Sequence, residues 1–240
     1  MITKTGILLA GGSGTRLQPL TGAGGSNKHL IPVHNKFIID YSIQSLIDMG
    51  CENINVILGG AHFEQVVRYL SDGSRFNCKI NYLFQGDPKG ISQGISLAKP
   101  FIRDDKFVVM LGDNIFDSKI TFEDKPGAQI CLASHQHLNR FGVASCKDDK
   151  IIKMEEKPKI IDESFKNYAI SGCYLFDQKF FNYFDQSQPS ARGEYEIVDI
   201  LNSYHSNHDL SFCVYNGLWS DAGTFDSINK LNNYFYARNS

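Results

Sequence analysis

The segment Gly6-Ile-Leu-Leu-Ala-Gly-Gly-Ser-Gly-Thr-Arg-Leu17 carries the residue types that phosphate chemistry needs. Gly11, Gly12 and Gly14, set around Ser13, let a ligand approach main-chain amides, which suit an anionic chain rich in hydrogen-bond acceptors. Arg16 adds a planar fork of donors for phosphate oxygens, and Lys28 follows a polar, glycine-rich loop. Leu17 stands where a dinucleotide fingerprint running from Gly12 and Gly14 needs glycine. Thr15-Arg16 stands where a Walker A loop needs Gly-Lys-Ser/Thr. A second polar turn, Gly112-Asp113-Asn114, follows the apolar run Phe107-Val-Val-Met-Leu111. A carboxylate at a strand end, facing a phosphate loop, is a natural magnesium ligand. The plain alternatives are a simple strand-to-helix turn for the glycines and a turn cap for Asp113.

These residues need a frame. The apolar run Ile7–Ala10 predicts a buried strand ending at the glycines. Residues 37–49 carry Ile39, Ile43, Leu46 and Ile47 on one helical face, with Gly50 placed to end the helix. Asn53–Leu58 and Lys79–Phe84 predict strands; between them Phe63, Val66, Val67 and Leu70 form an i, i+3, i+4, i+7 stripe. A turn, Gln85-Gly-Asp-Pro-Lys-Gly90, then leads into a short helix through Ala98. Strand and helix alternating in this way imply right-handed crossovers and a parallel sheet. Beyond Gly127 the chain looks poorer in strands: shorter runs at 129–134, 142–145, 151–155 and 168–176, a helix around 197–204, a strand at Leu210–Tyr215 and a last helix.

The 240 residues, 42% apolar and 21% charged, fit one α/β domain, and no linker, repeat or low-complexity segment divides them. A net charge of −2 without any basic run argues against nucleic acid, while a small polyanion needs only a few local cations. No apolar run approaches the ~20 residues of a membrane span, and the first residues show no signal pattern. Cys131, Cys146, Cys173 and Cys213 sit in apolar or strand-like runs and read as buried free thiols of a reduced, cytoplasmic protein. The pairs His135/His137 and His205/His208 invite a metal reading; the first could share one face of a strand, but no carboxylate or cysteine accompanies it at ligand spacing, and no zinc site is expected. Phe180, Phe181, Tyr183 and Phe184 read as packing residues.

With these motifs in order, the chain resembles the sugar-1-phosphate nucleotidyltransferases, most closely the glucose-1-phosphate thymidylyltransferases, nearly end to end. The resemblance rests on the first glycine segment, Asn27-Lys-His-Leu-Ile-Pro32, Leu111-Gly-Asp-Asn-Ile-Phe116, Glu155-Glu-Lys-Pro158 and Tyr168-Ala-Ile-Ser-Gly172. It continues through Ser190-Ala-Arg-Gly-Glu-Tyr-Glu-Ile197 and Trp219-Ser-Asp-Ala-Gly-Thr224. It implies a Rossmann-like, mostly parallel twisted sheet flanked by helices with a smaller sugar-binding β subregion, the nucleotide-diphospho-sugar transferase fold. Residues 1–126 would mainly bind nucleotide and residues 127–240 mainly sugar phosphate.

The implied activity is transfer of a nucleotidyl group from dTTP, or from UTP or CTP, to glucose 1-phosphate or another hexose phosphate, in making nucleotide sugars for cell-surface polysaccharide. By resemblance, Arg16 and Lys28 are catalytic, and Leu9, Ala10, Gly11, Gly12, Ser13, Gly14, Thr15, Gln85, Gly90 and Asp113 bind the nucleotide. Asn114, Gly142, Glu156, Lys157 and Arg192 bind the sugar phosphate, and Asp113 and Asp221 hold Mg2+. A sugar phosphate is already an anionic nucleophile, so no Ser-His or Cys-His base is needed.

No nucleic acid or membrane partner is implied; a homo-oligomer is compatible with the pattern. Two departures stand out: a longer, glycine-rich 21–27 loop, expected to be mobile for want of an apolar anchor and to bring Arg16 and Lys28 to the triphosphate only on closing, and Gly90-Ile-Ser-Gln-Gly94 where relatives more often read an alanine-containing Gly-Leu/Ile-Ala-Gln-Ala. The sequence stops soon after its last helix, without the longer helical tail that helps build a feedback site in some relatives, so such regulation is not expected. A non-catalytic nucleotide-sugar sensor keeps the same fold but would not need Arg16, Lys28, Asp113 and Asp221 intact; a Rossmann oxidoreductase is opposed by Leu17.

Overall fold

Thr5–Ala10 forms β1, whose successive residues face opposite ways: Ile7 enters one core cluster and Leu8 and Ala10 another. This alternation on a strand covered on both faces explains an unbroken apolar run. The computed structural model describes residues 2–239. After β1 come β2 (Pro32–Val33), β3 (Lys36–Phe37), α1 (Ile38–Asp48), β4 (Asn53–Leu58), α2 (Phe63–Leu70), β5 (Lys79–Phe84), α3 (Ile91–Ser96), β6 (Lys106–Leu111) and β7 (Asn114–Phe116). The second half holds β8 (Ala128–Ala133), β9 (Gly142–Lys147), β10 (Lys150–Glu156), β11 (Lys166–Asp177), α4 (Lys179–Gln186), α5 (Ile197–Ser206), β12 (Leu210–Tyr215), β13 (Trp219–Asp221) and α6 (Phe225–Asn239).

The order β10-β9-β11-β6-β1-β4-β5 runs through a nine-stranded sheet, with β8 and β12 attached to it through β11. Strands β6, β1, β4 and β5 are parallel, as the strand-helix rhythm predicts. The second half is not strand-poor. Its β11 lies antiparallel to β6 and joins β8 and β9, so both halves share one sheet. β11 does this by breaking register between Ile170 and Tyr174, where Gly172 has φ +74°.

Helices α1 and α2 cover one face, placing Ile39, Ile43, Leu46, Val66 and Leu70 against Leu8, Val56 and Val108. The other face carries α4 and α5, with Phe180, Phe181, Ile200 and Tyr204 packed around Phe107 and Phe176. Phe63, read as part of the α2 stripe, is instead 37% exposed and meets Phe84 edge-on. Cys213 is half-buried rather than buried; the other five cysteines are buried, and all six are free. A third cluster joins Leu17, Ile31, Ile38 and Ile115 to Ala222, Ile228 and Leu231, pinning α6 beside the first loop. Among the described residues no helix is long and apolar enough to cross a membrane.

Candidate active site

The first glycine loop leaves the carboxyl end of β1 and closes in a 3-10 turn at Thr15–Leu17. Gly14 takes φ +66°, a left-handed conformation that side chains disfavour. A Cβ on Gly12 would lie 2.7 Å from Lys28 Nζ, so the ammonium rests on bare backbone. The amides of Gly12, Ser13, Gly14 and Thr15 find no acceptor among the described residues, leaving them to a ligand. Lys28 starts its own 3-10 turn, capped by the Asn27 side chain accepting from the His29 amide. Burial, reinforced by the Lys28 charge, lowers His29 to about 3, so the ring is neutral.

The 21–27 loop has anchors after all, and they are polar. Gln65 Oε1 accepts from the Asn27 amide at 2.9 Å and Gln65 Nε2 donates to Gly25 O at 3.2 Å. His62 Nε2 reaches Gly22 O at 2.9 Å, and Thr21 Oγ1 donates to Gly14 O at 2.7 Å. Lys28 therefore stands beside the glycine loop without any closure of the 21–27 segment.

Asp113 and Asp221 converge through strand register. β7 and β13 pair antiparallel with Asn114 opposite Asp221 and Phe116 opposite Trp219, and the Ala222 amide donates to Asp113 O at 2.7 Å. Trp219 Nε1 donates to Asn114 Oδ1 at 2.7 Å, while Asn114 Nδ2 donates to Asp113 Oδ1 at 2.9 Å. Lys28 Nζ donates to Asp113 Oδ2 at 2.6 Å. Burial alone would push the Asp113 carboxyl up, but the charge and hydrogen bond of Lys28 outweigh it and hold the group well below the usual range. Asp221 moves the other way: burial raises it, Asp113 adds to that, and Arg140 opposes both.

Arg140 carried no role in the sequence reading, yet its Nη2 donates to Asp221 Oδ2 at 2.6 Å, with Arg16 at 4.0 Å from the same oxygen. Asn139-Arg-Phe-Gly142 lies between two strand-like runs, and nothing in its sequence points to a partner 81 residues away.

The opposite wall comes from the second half. Glu156 ends β10, and Lys157 follows at φ +46°, strained backbone for a side-chain-bearing residue. Its amide donates to Phe141 O at 3.0 Å, which holds the strained residue beside Gly142. Arg192 Nη2 donates to Glu196 Oε1 at 2.8 Å and to Glu156 Oε1 at 3.3 Å, with Glu194 at 3.8 Å. Burial raises the Glu156 carboxyl, opposed by Lys157 and Arg192. Gln85 Nε2 donates to Gly90 O and to Gln93 Oε1, so its Oε1 is left facing Gly11 and Gly94. A Cβ at Gly94 would sit 2.9 Å from Leu9 Cδ2, so glycine here gives Leu9 its place.

Two adjoining cavities result. One, of about 290 Å3, is lined by Leu9, Gly11, Gly12, Lys28, Gln85 and Gly90. The other, of about 610 Å3, takes in Thr15, Arg16, Asn114, Arg140, Gly142 and Asp221. Asp113, Glu156 and Lys157 line both, making one cleft. Ser13, Gly14 and Arg192 line neither cavity, and the Ala10 side chain is buried in the core on the α1 side.

A cleft at the carboxyl ends of parallel strands, with free loop amides, convergent cations and two carboxylates brought together by register, defines a protein that handles phosphorylated ligands. The chain belongs to the nucleotidyl transferase family, whose model matches residues 5–238. It is 37% identical to a low-salt glycan biosynthesis nucleotidyltransferase, Agl11, of Haloferax volcanii, covering 95% of this chain and 64% of that protein. It is also 37% identical to a glucose-1-phosphate thymidylyltransferase of Mycolicibacterium smegmatis, covering 93% of this chain and 79% of the relative. The crystal structure of a putative glucose-1-phosphate thymidylyltransferase from Bacillus anthracis, in complex with a sucrose, superposes with a TM-score of 0.87. It is 39% identical, over 96% of this chain and 94% of that one. A UDP-glucose pyrophosphorylase structure at 21% identity and TM-score 0.83 shares the nucleotide-diphospho-sugar transferase fold.

Proposed function

We propose that the protein transfers a thymidylyl group from dTTP to glucose 1-phosphate, releasing pyrophosphate. The observation that carries the reading is the convergence of Lys28, Arg16, Gly12 and Thr15 with Asp113 and Asp221 in one cleft at the end of the sheet. The thymidylyltransferase names of relatives that match along the chain support the choice of base and sugar.

The loop amides and Arg16 bind the triphosphate, and Lys28 neutralises charge as it develops on the transferring phosphoryl group. Gln85 presents an acceptor to the base, while Gly142, Glu156 and Lys157 orient the sugar and its phosphate. A phosphate oxygen of the sugar attacks the α-phosphorus in line, and the bond to pyrophosphate breaks. The nucleophile is anionic, so positioning and charge neutralisation are what the side chains must supply.

The residues fit a divalent ion. Asp221 Oδ1 is buried without a hydrogen-bond partner, and Asp113 is its electrostatic neighbour. Magnesium is commonly held by one or two carboxylates, with waters and substrate phosphates completing the shell. Asp113 and Asp221 would hold it, and it would supply charge neutralisation at the phosphates. The test is pyrophosphate release with dTTP, UTP and CTP against several hexose 1-phosphates. Fastest release with dTTP and glucose 1-phosphate supports the proposal, preference for another pair revises the substrates, and no release with any pair overturns it.

A further inference from the structure

Arg140 lies in the 3-10 turn Leu138–Arg140 that enters β9, its guanidinium 5.2 Å from the Phe141 ring centroid. It gives the Asp221 carboxylate a 2.6 Å charged hydrogen bond, with the two side chains 29% and 10% exposed. That contact uses Oδ2 alone. Oδ1 of the same carboxylate is buried with no hydrogen-bond partner among the described residues. Arg16 stands farther off, 4.0 Å from Oδ2, and Asp113 is held at 2.6 Å by Lys28. Each carboxylate assigned to the metal is thus occupied by a protein cation.

We propose that Arg140 and the divalent ion exchange on Asp221. The arginine holds the carboxylate in the metal-free protein; the ion takes it over and frees the guanidinium for a phosphate oxygen in the cleft, which Arg140 also lines. The proposal rests on the reading of Asp113 and Asp221 as the metal pair. Exchange is favoured over coexistence because a guanidinium and a doubly charged ion on one buried carboxylate repel each other at short range and low dielectric. Arg140 acts as a positioning residue for Asp221 before the ion arrives and as a phosphate contact afterwards.

The experiment is Mn2+ binding to the nucleotide-free protein, followed by calorimetry and by the spin-resonance signal of free Mn2+. Arg140→Gln should bind Mn2+ about tenfold more tightly than wild type, because the competitor for Asp221 is gone. Arg140→Lys, which keeps the charge, should fall between the two. General damage to the fold would weaken binding, so tightening separates the proposed role from a structural one. Equal or weaker binding in Arg140→Gln, with binding abolished in Asp221→Asn, overturns the exchange and leaves the metal pair standing. Wild-type affinity in both Asp113→Asn and Asp221→Asn overturns the metal pair itself. Should Arg140→Gln not fold, the Arg140 guanidinium resonance of the wild-type protein answers the same question: it should shift as Mg2+ is added, and a resonance that stays fixed while Mg2+ binds overturns the exchange.

Discussion

Replacing Asp113 by asparagine probes the ion pair at the centre of the cleft. Lys28 Nζ stands 2.6 Å from Asp113 Oδ2, with side-chain exposures of 14% and 18%, so solvent screens the pair little. Asparagine can still accept a bond from the charged Lys28 but no longer opposes its charge, so the variant should lose about 1–2 kcal/mol of unfolding free energy. Asp113→Ala strands the ammonium without an acceptor and should lose about 3–5 kcal/mol. Urea unfolding at neutral pH measures both. The Asp113 carboxyl is held below its usual value, so its stabilisation is full above the ordinary carboxylate range and is lost as pH falls through the folded value. The gap between wild type and Asp113→Asn should therefore narrow on acidification. Losses below about 0.5 kcal/mol in both variants, or a gap that widens in acid, would refute the pairing.

Arg192→Ala removes the guanidinium that donates to Glu156 on the cleft wall and should raise the KM for sugar phosphate up to about tenfold and that for the triphosphate much less; equal rises would place Arg192 elsewhere. The same variant leaves Glu196, 9% exposed, without its close cation, so its melting temperature should also fall. Gly12→Ala drives a methyl to within 2.7 Å of Lys28 Nζ and should cut kcat with the circular dichroism unchanged; full activity would show that the ammonium does not need that spot. Gln65→Ala removes two anchors of the 21–27 loop and should speed amide exchange there while leaving β4 protected, whereas unchanged exchange would mean those bonds do not hold the loop.

Local elements were legible wherever burial writes a period into the chain. β1, β4 and β5 lie under helices or beside covered strands and read as short apolar runs, and α2 reads as a stripe. The phosphate loop was legible because Gly12 and Gly14 are demanded by a close approach and by a positive φ, both of which constrain residue type locally. β7 and β13, three residues each, are too short to show a period, so the register that joins Asp113 to Asp221 had no signature of its own. α4 has no legible stripe because Phe180, Phe181, Tyr183 and Phe184 blur it, although all four are packing residues as expected, Phe180 and Phe181 buried and Tyr183 and Phe184 packed against the core from its edge. The anchors of the 21–27 loop escaped notice because Gln65 and His62 bond main-chain oxygens and amides, which no side-chain pattern reveals. Arg140 escaped for a related reason: its partner lies 81 residues away.

The charges of the cleft explain why composition is silent about it. Arg16, Lys28, Arg140 and Lys157 in the cleft, and Arg192 behind Glu156, each have a carboxylate within 4.0 Å, so the basic residues of the site are balanced by acidic ones in the ligand-free protein. A phosphate that binds exchanges one anionic partner for another, and the net gain from any single contact is small. A ligand that engages several cations at once collects several such gains for a single loss of translational freedom. The contacts are also graded. Arg16 at 4.0 Å and Lys157 at 3.6 Å are held loosely, whereas Lys28 and Arg140 sit 2.6 Å from their carboxylates. The loose pair can turn to an incoming phosphate first, and the tight pair yields only to a ligand set charged enough to replace both aspartate contacts. A site built this way favours a triphosphate and a sugar phosphate bound together over either anion alone, the discrimination that a two-substrate transfer requires.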